Sequence, residues 1–303
     1  VTSKAPRRAW QRVDGVLLLD KAGGMTSNYA LQGARRLFSA AKAGHTGTLD
    51  PLATGLLPLC FGEATKFSAD LLDADKTYEA ELLFGATTDT GDSDGLIVSR
   101  RPIAFGEAEL VAALARFRGP ISQIPPMYSA LKRDGKPLYE LARQGVTVER
   151  QARAVTIHEL LLLEFSGERC RLQVTCSKGT YIRTLAEDVG EVLGCGAHLT
   201  ALRRTAVGPL QVADALTLEQ LNGLSEAQRL ACLLPPDALL QSLPVIRLGA
   251  EAALRFAHGN PVSFADGGNG ISGRCRVYNE STLLGLGEAE TTGQVKPRRL
   301  VSV

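Results

Sequence analysis

Apolar and polar residues alternate along this chain with two periods, and the switches between them mark its elements. Val16-Leu17-Leu18-Leu19 is a continuous apolar run between Gly15 and Asp20-Lys21, followed by a Gly23-Gly24 turn. That is the pattern of a buried strand. Helical spacing follows, with Leu31, Ala34, Leu37 and Phe38 on one face, Ser27 or Asn28 placed as cap, and an end near Ala40. Leu56 to Phe61 reads as a strand and Glu63 to Leu72 as a helix. From Lys76 to Gly85 the period drops to two, putting Tyr78, Ala80, Leu82 and Phe84 on one face. Glu107 to Arg118 fits a helix. Arg153 to Phe165 and Arg169 to Ser177 read as strands, Tyr181 to Leu193 as a helix, Leu199 to Val207 as a strand, and Leu216 to Leu234 as helical.

Two stretches break the rhythm. Ile124 to Gly145 opens with Pro125-Pro126 and carries Gly135-Lys136-Pro137, which suggests an inserted loop. Pro235-Pro236 and Pro244 bracket a boundary, beyond which glycines and short strands suggest a small β-barrel. The expected architecture is therefore α+β: a large domain over residues 1–243, with an insert at about 124–153, and a small domain over 244–303.

Composition narrows the class. Of the 303 residues, 45% are hydrophobic and 22% charged, as in an ordinary globular protein. No apolar run is long enough for a membrane helix. The start, with Lys4, Arg7 and Arg8 but no apolar stretch after them, does not read as a secretory signal. Six cysteines without a C-x-x-C pair fit reduced thiols and a cytoplasmic location. Cys195 and His198 form a lone C-x-x-H with no second ligand pair, so no metal site is expected. Asp89 to Gly95 fails as a calcium loop, because Thr90 would take the first ligand position and Arg101 that of the final glutamate. A polar hairpin loop fits better.

The net charge of +2 announces no partner, but its distribution does. The first dozen residues hold Lys4, Arg7, Arg8 and Arg12 without an acid. Lys132, Arg133, Lys136, Arg143, Arg150 and Arg153 face only Asp134, Glu140 and Glu149 across the insert. Such patches suit phosphates.

The most pointed chemistry lies in Gly44-His45-Thr46-Gly47-Thr48-Leu49-Asp50-Pro51-Leu52-Ala53-Thr54-Gly55. Gly44 and Gly47 permit unusual backbone angles, and Pro51 biases Asp50 toward an extended conformation. By itself, the spacing fits either a reactive carboxylate on a loop or an ordinary turn aspartate. Arg183 is odd on physical grounds. With Thr180 as cap it falls in a helix's first turn, where the macrodipole disfavours a cation by about 0.3–1 kcal/mol. A fixed anionic partner would explain it.

The twelve-residue string closely resembles the signature loop of the TruB family of tRNA pseudouridine synthases, in which this aspartate is catalytic. Gly15 to Lys21, Lys76-Thr77-Tyr78, Thr88-Asp89-Thr90 with Asp92, Ser177 to Arg183, Gly194 to Leu199, and Leu202-Arg203-Arg204 continue the likeness in order. The resemblance implies a mixed, largely antiparallel sheet flanked by helices. It implies that Asp50 pairs with Arg183, whose guanidinium would lower its pKa and keep it ionised. Tyr78 would stack on the target base and Tyr181 line the pocket. His45 would help hold flipped-out bases, and Lys21 and Lys178 would serve as phosphate or pocket residues. Asp92 and Leu202 belong to the matching motifs. Residues 244–303 resemble a PUA domain through Gly259-Asn260-Pro261-Val262, Leu284 to Gly287 and Lys296 to Val301.

The implied reaction is isomerisation of uridine to pseudouridine at position 55 of the tRNA T-arm loop, without a cofactor or membrane. The chain is expected to act as a monomer with no obligate protein partner, and the PUA resemblance implies that residues 244–303 bind the acceptor end of the tRNA. Asp50 has three conceivable jobs: attack at C1′ of the ribose, addition to C6 of the uracil, or removal of the 2′ proton. Rival readings are a guide-RNA-dependent relative, an RNA-folding helper, and a glycoside hydrolase. The last wants a second carboxylate facing Asp50.

Overall fold

The computed structural model describes residues 9–133, 135–264 and 270–302. Lys4, Arg7, Arg8 and Asp134, counted in the charge clusters above, lie outside the described residues. Among the described residues, a nine-stranded sheet runs in the order Gly15–Lys21, Thr54–Phe61, Ala197–Val207, Lys76–Phe84, Arg169–Cys176, Arg153–Phe165, Gly119–Gln123, with two short strands attached beside it. Neighbours on this path are antiparallel except Thr54–Phe61 and Ala197–Val207, which touch in parallel.

The two-residue period of Lys76–Phe84 explains its central position. Ala80, Leu82 and Phe84 face the helices, whereas Glu79 and Glu81 pair with Arg171 and Arg169 on the open face. Helices Ser27–Leu37 and Ile182–Val192 bury Leu31, Ala34, Leu185, Ala186 and Val189 against Leu82, Leu172 and Leu199. Each buried aliphatic side chain contributes about 1.5–3 kcal/mol, so this layer fixes how the helices sit on the sheet. The parallel contact needs Gly55. Its φ is +96°, and a Cβ there would lie 2.3 Å from the Arg204 carbonyl oxygen, a distance only glycine tolerates.

Several local expectations are corrected. The first helix is capped by Thr26, whose Oγ1 accepts from Tyr29 N at 3.1 Å, and not by Ser27 or Asn28. Glu63 to Leu72 is a 3₁₀ stretch, Gly62–Phe67, leading into a short helix, Ser68–Leu72. Leu216 to Leu234 is two short helices, Leu218–Gly223 and Glu226–Ala231. Each opens with its own capping box, Thr217 with Gln220 and Ser225 with Gln228. The second box starts a new helix where a single one was expected.

The C-terminal segment builds a curled half-barrel sheet in the order Val245–Leu248, Gly273–Asn279, Thr282–Ala289, Gln294–Leu300, Val262–Ser263. A helix, Ala250–Ala257, which the short-strand pattern did not suggest, buries Phe256 in its core beside Ile246, Val277 and Val295. Phe67, Leu240 and Leu286 join this sheet to the larger one. No helix among the described residues is long and apolar enough to cross a membrane.

Candidate active site

The Asp50 loop is clamped on both sides of the carboxylate. The buried Ser27 hydroxyl donates to Leu49 O at 2.9 Å and lies 2.8 Å from Leu49 N, which donates back to it. Beyond Asp50, Gly24 N donates to Pro51 O at 2.9 Å, and Lys21 Nζ reaches the same carbonyl at 3.4 Å. Gly47 turns the chain with φ +90°. Gly44 does not share that role, because it lies within the strand Ala43–His45 and its φ is not positive.

Arg183 approaches from helix Ile182–Val192. The Gln123 side-chain amide holds the start of this helix, accepting from Tyr181 N at 3.0 Å and donating to Tyr181 O at 3.2 Å. Tyr181 is therefore the capping position. Thr180, expected there, donates its hydroxyl to Ser177 O instead. The first turn holds no acid, and Arg183 stands in it with a side chain only 5% exposed. Its Nη2 lies 2.9 Å from Asp50 Oδ2, and its Nε lies 3.6 Å from Asp92 Oδ2. It also donates to Thr90 O at 2.8 Å and Tyr128 O at 2.7 Å. One guanidinium thus ties together the Asp50 loop, the Asp89–Gly95 hairpin turn and the insert, and Asp50 is the anion that the sequence argument required.

The pKa of Asp50 departs from expectation. Burial pushes its pKa above the ordinary carboxylate value, Asp92 adds to the rise, and the opposing pull of Arg183 and Lys21 does not reverse it. The guanidinium orients the carboxylate without making it a weaker base. The Asp50 side chain remains 41% exposed, open to a cleft.

That cleft has two lobes that meet over Asp50 and Arg183. The smaller, about 270 Å³, is lined by Tyr78, Tyr181, Lys178, Leu202, Lys76 and Arg204. The larger, about 530 Å³, is lined by His45, Asn28, Asp92, Tyr139 and Arg143. Ser129 and Ala130 of the insert border both. The insert carries a small hairpin, Lys132–Arg133 with Lys136–Pro137, and a helix, Leu138–Arg143.

The structure therefore brings Asp50, Arg183, Tyr78, Tyr181 and Leu202 to one lobe, and His45 and Asp92 to the other. Burial raises the Tyr78 phenol against the pull of Arg204. Burial and then Arg204 lower His45, so its imidazole is neutral near pH 7, and among the described residues its buried Nδ1 has no hydrogen-bond partner. Asp92 accepts from Thr90 Oγ1 at 2.6 Å and Asp94 N at 3.2 Å, so its carboxylate stabilises the hairpin turn as well as Arg183. Lys178 is exposed and pairs with Asp73 at 2.7 Å.

Lys21 is a correction. Its ammonium is buried and donates to the carbonyls of Ala22 and Met25 at 2.9 and 2.8 Å. Its place is beneath the Asp50 loop, not on the surface where a phosphate contact was expected. The Cys195–His198 pair is also structural: the histidine is buried with Nδ1 2.9 Å from Ala86 O. Among the described residues no three His, Cys, Asp or Glu side chains are grouped to hold a metal ion.

Sequence reasoning gave no role to Lys76, Arg204 or the insert's Ser129. For Arg204 a signal existed. Two adjacent arginines in a strand face opposite sides, so one of the pair Arg203-Arg204 had to share the inner face with Leu202.

Comparisons with known proteins identify the family. Residues 35–182 match the family described as TruB family pseudouridylate synthase (N terminal domain). Residues 183–241 match a tRNA pseudouridylate synthase B C-terminal domain, and residues 244–301 match Pseudouridine synthase II TruB, C-terminal. The chain is 61% identical over 297 residues to tRNA pseudouridine synthase B of Dechloromonas aromatica, covering 98% of each chain. It is 56% identical over 306 residues to the protein of that name from Burkholderia mallei, covering 99% of this chain and 97% of the relative. Among solved structures it is similar to that of a Cbf5-Nop10-Gar1 complex, with 25% identity, a TM-score of 0.71, and coverage of 99% of this chain and 89% of that one. The archaeal box H/ACA sRNP Nop10-Cbf5 complex, at 24% identity and a TM-score of 0.69 over 99% of this chain and 88% of that one, shares the fold. With these matches spanning nearly the whole chain, it belongs to the TruB family of pseudouridylate synthases.

Proposed function

We propose that this enzyme isomerises uridine 55 to pseudouridine in the T-arm loop of tRNA, with Asp50 as the catalytic group, Arg183 as its fixed partner and Tyr78 as the platform for the extruded base. The observation that carries the reading is the Asp50–Arg183 pair at 2.9 Å, set where the two lobes of an open cleft meet. Relatives 56–61% identical over nearly the full length bear the name tRNA pseudouridine synthase B, which supports tRNA as the substrate.

Chemistry on a base inside a structured loop requires that the base leave its stack, at a cost of a few kcal/mol. The smaller lobe offers the flipped ring a floor of apolar and aromatic side chains, and stacking on a tyrosine contributes roughly 1–3 kcal/mol per base. His45, neutral and facing the larger lobe, suits contact with neighbouring bases. A carboxylate of raised basicity fits attack at C1′, addition to C6 and removal of the 2′ proton alike.

In this reading residues 1–243 form the catalytic unit, the basic insert clasps the T arm, and residues 244–303 add contacts at the acceptor end. The enzyme works as a monomer in the cytoplasm with no obligate partner.

The test uses purified protein alone with unmodified tRNA and maps pseudouridine. Modification at position 55 is expected, with Asp50→Asn slowing it by at least about 10³-fold while tRNA affinity stays within a few-fold. Activity retained in Asp50→Asn, or modification that appears only when a guide RNA and partner proteins are added, would refute the reading. An RNA-folding role alone predicts tRNA binding without any pseudouridine.

A further inference from the structure

Among the described residues, a cation beside the smaller lobe has no counter-ion. Arg204 is 1% exposed, yet it lines the lobe from strand Ala197–Val207. Its Nε donates to Leu56 O at 2.7 Å, and among the described residues its buried Nη2 has no hydrogen-bond partner. The acids of the neighbouring segments are paired with other arginines: Asp20 with Arg203 at 2.7 Å, and Asp50 and Asp92 with Arg183. Its charged neighbours are the buried lysines Lys21 and Lys76, both pushed down to about 8, chiefly by burial with Arg204 adding to the effect. The Lys76 ammonium is occupied by the carbonyls of Leu72 and Ala74. Register places Arg204 directly opposite Tyr78 on the adjoining strand.

Burying a guanidinium without a carboxylate partner is strongly unfavourable, and a protein is expected to retain one only where the charge is used. The lobe that Arg204 lines is the one that would receive the extruded base, so the ring is the group best placed to use the charge.

We propose that Arg204 is a catalytic residue of the isomerisation, stabilising the negative charge that the uracil ring carries once its bond to the ribose is broken. The inference rests on the function proposed above. In that step the N1–C1′ bond breaks and its electron pair stays on the ring, giving a uracil anion with charge spread over N1, O2 and O4. The ring turns, and C5 supplies the electron pair for the new bond to C1′. The C5 proton then leaves to a base and N1 takes one up, so product and substrate are isomers. Arg204 forms no bond and transfers no proton. Its unpaired Nη2–H and fixed charge favour the anionic ring over the neutral one, which is the differential stabilisation that accelerates a reaction.

The experiment compares wild type with Arg204→Met, which keeps the side chain's length without the charge, and Arg204→Lys. Single-turnover conversion of bound tRNA should fall about 10²–10³-fold in Arg204→Met, as for loss of one oxyanion donor, with partial recovery in Arg204→Lys. Affinity for tRNA should hold, and the thermal midpoint should stay level or rise, because an uncompensated charge has gone. A merely structural arginine would lower the midpoint.

A second substrate, a T-arm RNA with 5-fluorouridine at the target position, has a ring anion already stabilised by fluorine. Arg204→Met should slow consumption of 5-fluorouridine by a smaller factor than consumption of uridine. Equal factors, or a variant as fast as wild type, would overturn the assignment. If Arg204→Met does not fold, the same comparison with Arg204→Lys decides. A wild-type protein that makes no pseudouridine in any RNA would remove the underlying reading instead.

Discussion

Replacing Arg183 by Met tests whether one guanidinium holds the site together. Four acceptors lose their donor: Asp50, Asp92, Thr90 O and Tyr128 O. They are not equal. Asp50 is 41% exposed and will be resolvated, so its loss is small. Asp92 is 5% exposed and keeps only the Thr90 hydroxyl and Asp94 N, which leaves a buried carboxylate without a cation. Removing one partner of such a pair costs about 3–5 kcal/mol. At ~2–4 °C per kcal/mol for a domain of this size, the thermal midpoint should drop by about 6–20 °C. Asp92→Asn on the Arg183→Met background removes the stranded charge and should return about 1–3 kcal/mol. Urea unfolding followed by circular dichroism measures both, with an unchanged slope as the sign that the unfolding reaction is the same. A loss below about 1 kcal/mol in Arg183→Met, or no recovery in the double variant, would show that Asp92 does not depend on Arg183, against the buried-pair argument.

Two further predictions concern stability. Burial, with Asp188 alongside, pushes Glu187 up to about 7 despite the nearby Arg183 and Arg150. The unfolded chain releases this proton near pH 4.5 and the folded one near 7, so stability falls as pH rises between them. Glu187→Gln should therefore stabilise by about 1–2 kcal/mol at pH 8 after allowance for partial exposure, and by almost nothing at pH 4.5; urea midpoints showing the same gap at both would contradict it. Gly190→Ala separates propensity from packing. Alanine favours a helix by about 1 kcal/mol, but its Cβ would lie 2.2 Å from Ala197 N. Packing should win, with a lower thermal midpoint by roughly 1–3 kcal/mol equivalent, and a raised midpoint would refute the clash.

The fold was legible where one face of an element is apolar and the other is not. Lys76–Phe84, Arg169–Cys176 and Ile182–Val192 begin and end within two residues of their expected bounds because burial and pattern agree there. Where two local signals compete, pattern alone fails. Apolar residues run on from Leu216 to Leu234, but the Ser225–Gln228 capping box starts a fresh helix. The C-terminal helix Ala250–Ala257 lay in a segment whose glycines pointed only to strands. Resemblance, not spacing, singled out Tyr78 and His45, since a tyrosine or histidine beside apolar residues reads first as core.

Arg203 and Arg204 show what sequence withholds about a site. They are identical and adjacent, yet one makes a paired, half-exposed bridge to Asp20 and the other is buried beside two lysines with a free donor. Strand alternation predicts that they face opposite sides, but not which side holds the cleft. That depends on Tyr78 lying across the sheet, on Gly55 letting the backbones meet, and on Asp20 being taken by the neighbour. Each of these is a contact between segments far apart in sequence. The proton affinity of Asp50 is likewise a property of the assembled fold. Arg183 predicts a more acidic carboxyl, and the desolvation that reverses the sign arises only once the loop is clamped over Ser27 and Lys21. A residue's motif can thus identify the acid, while its proton affinity is set by the walls that close around it.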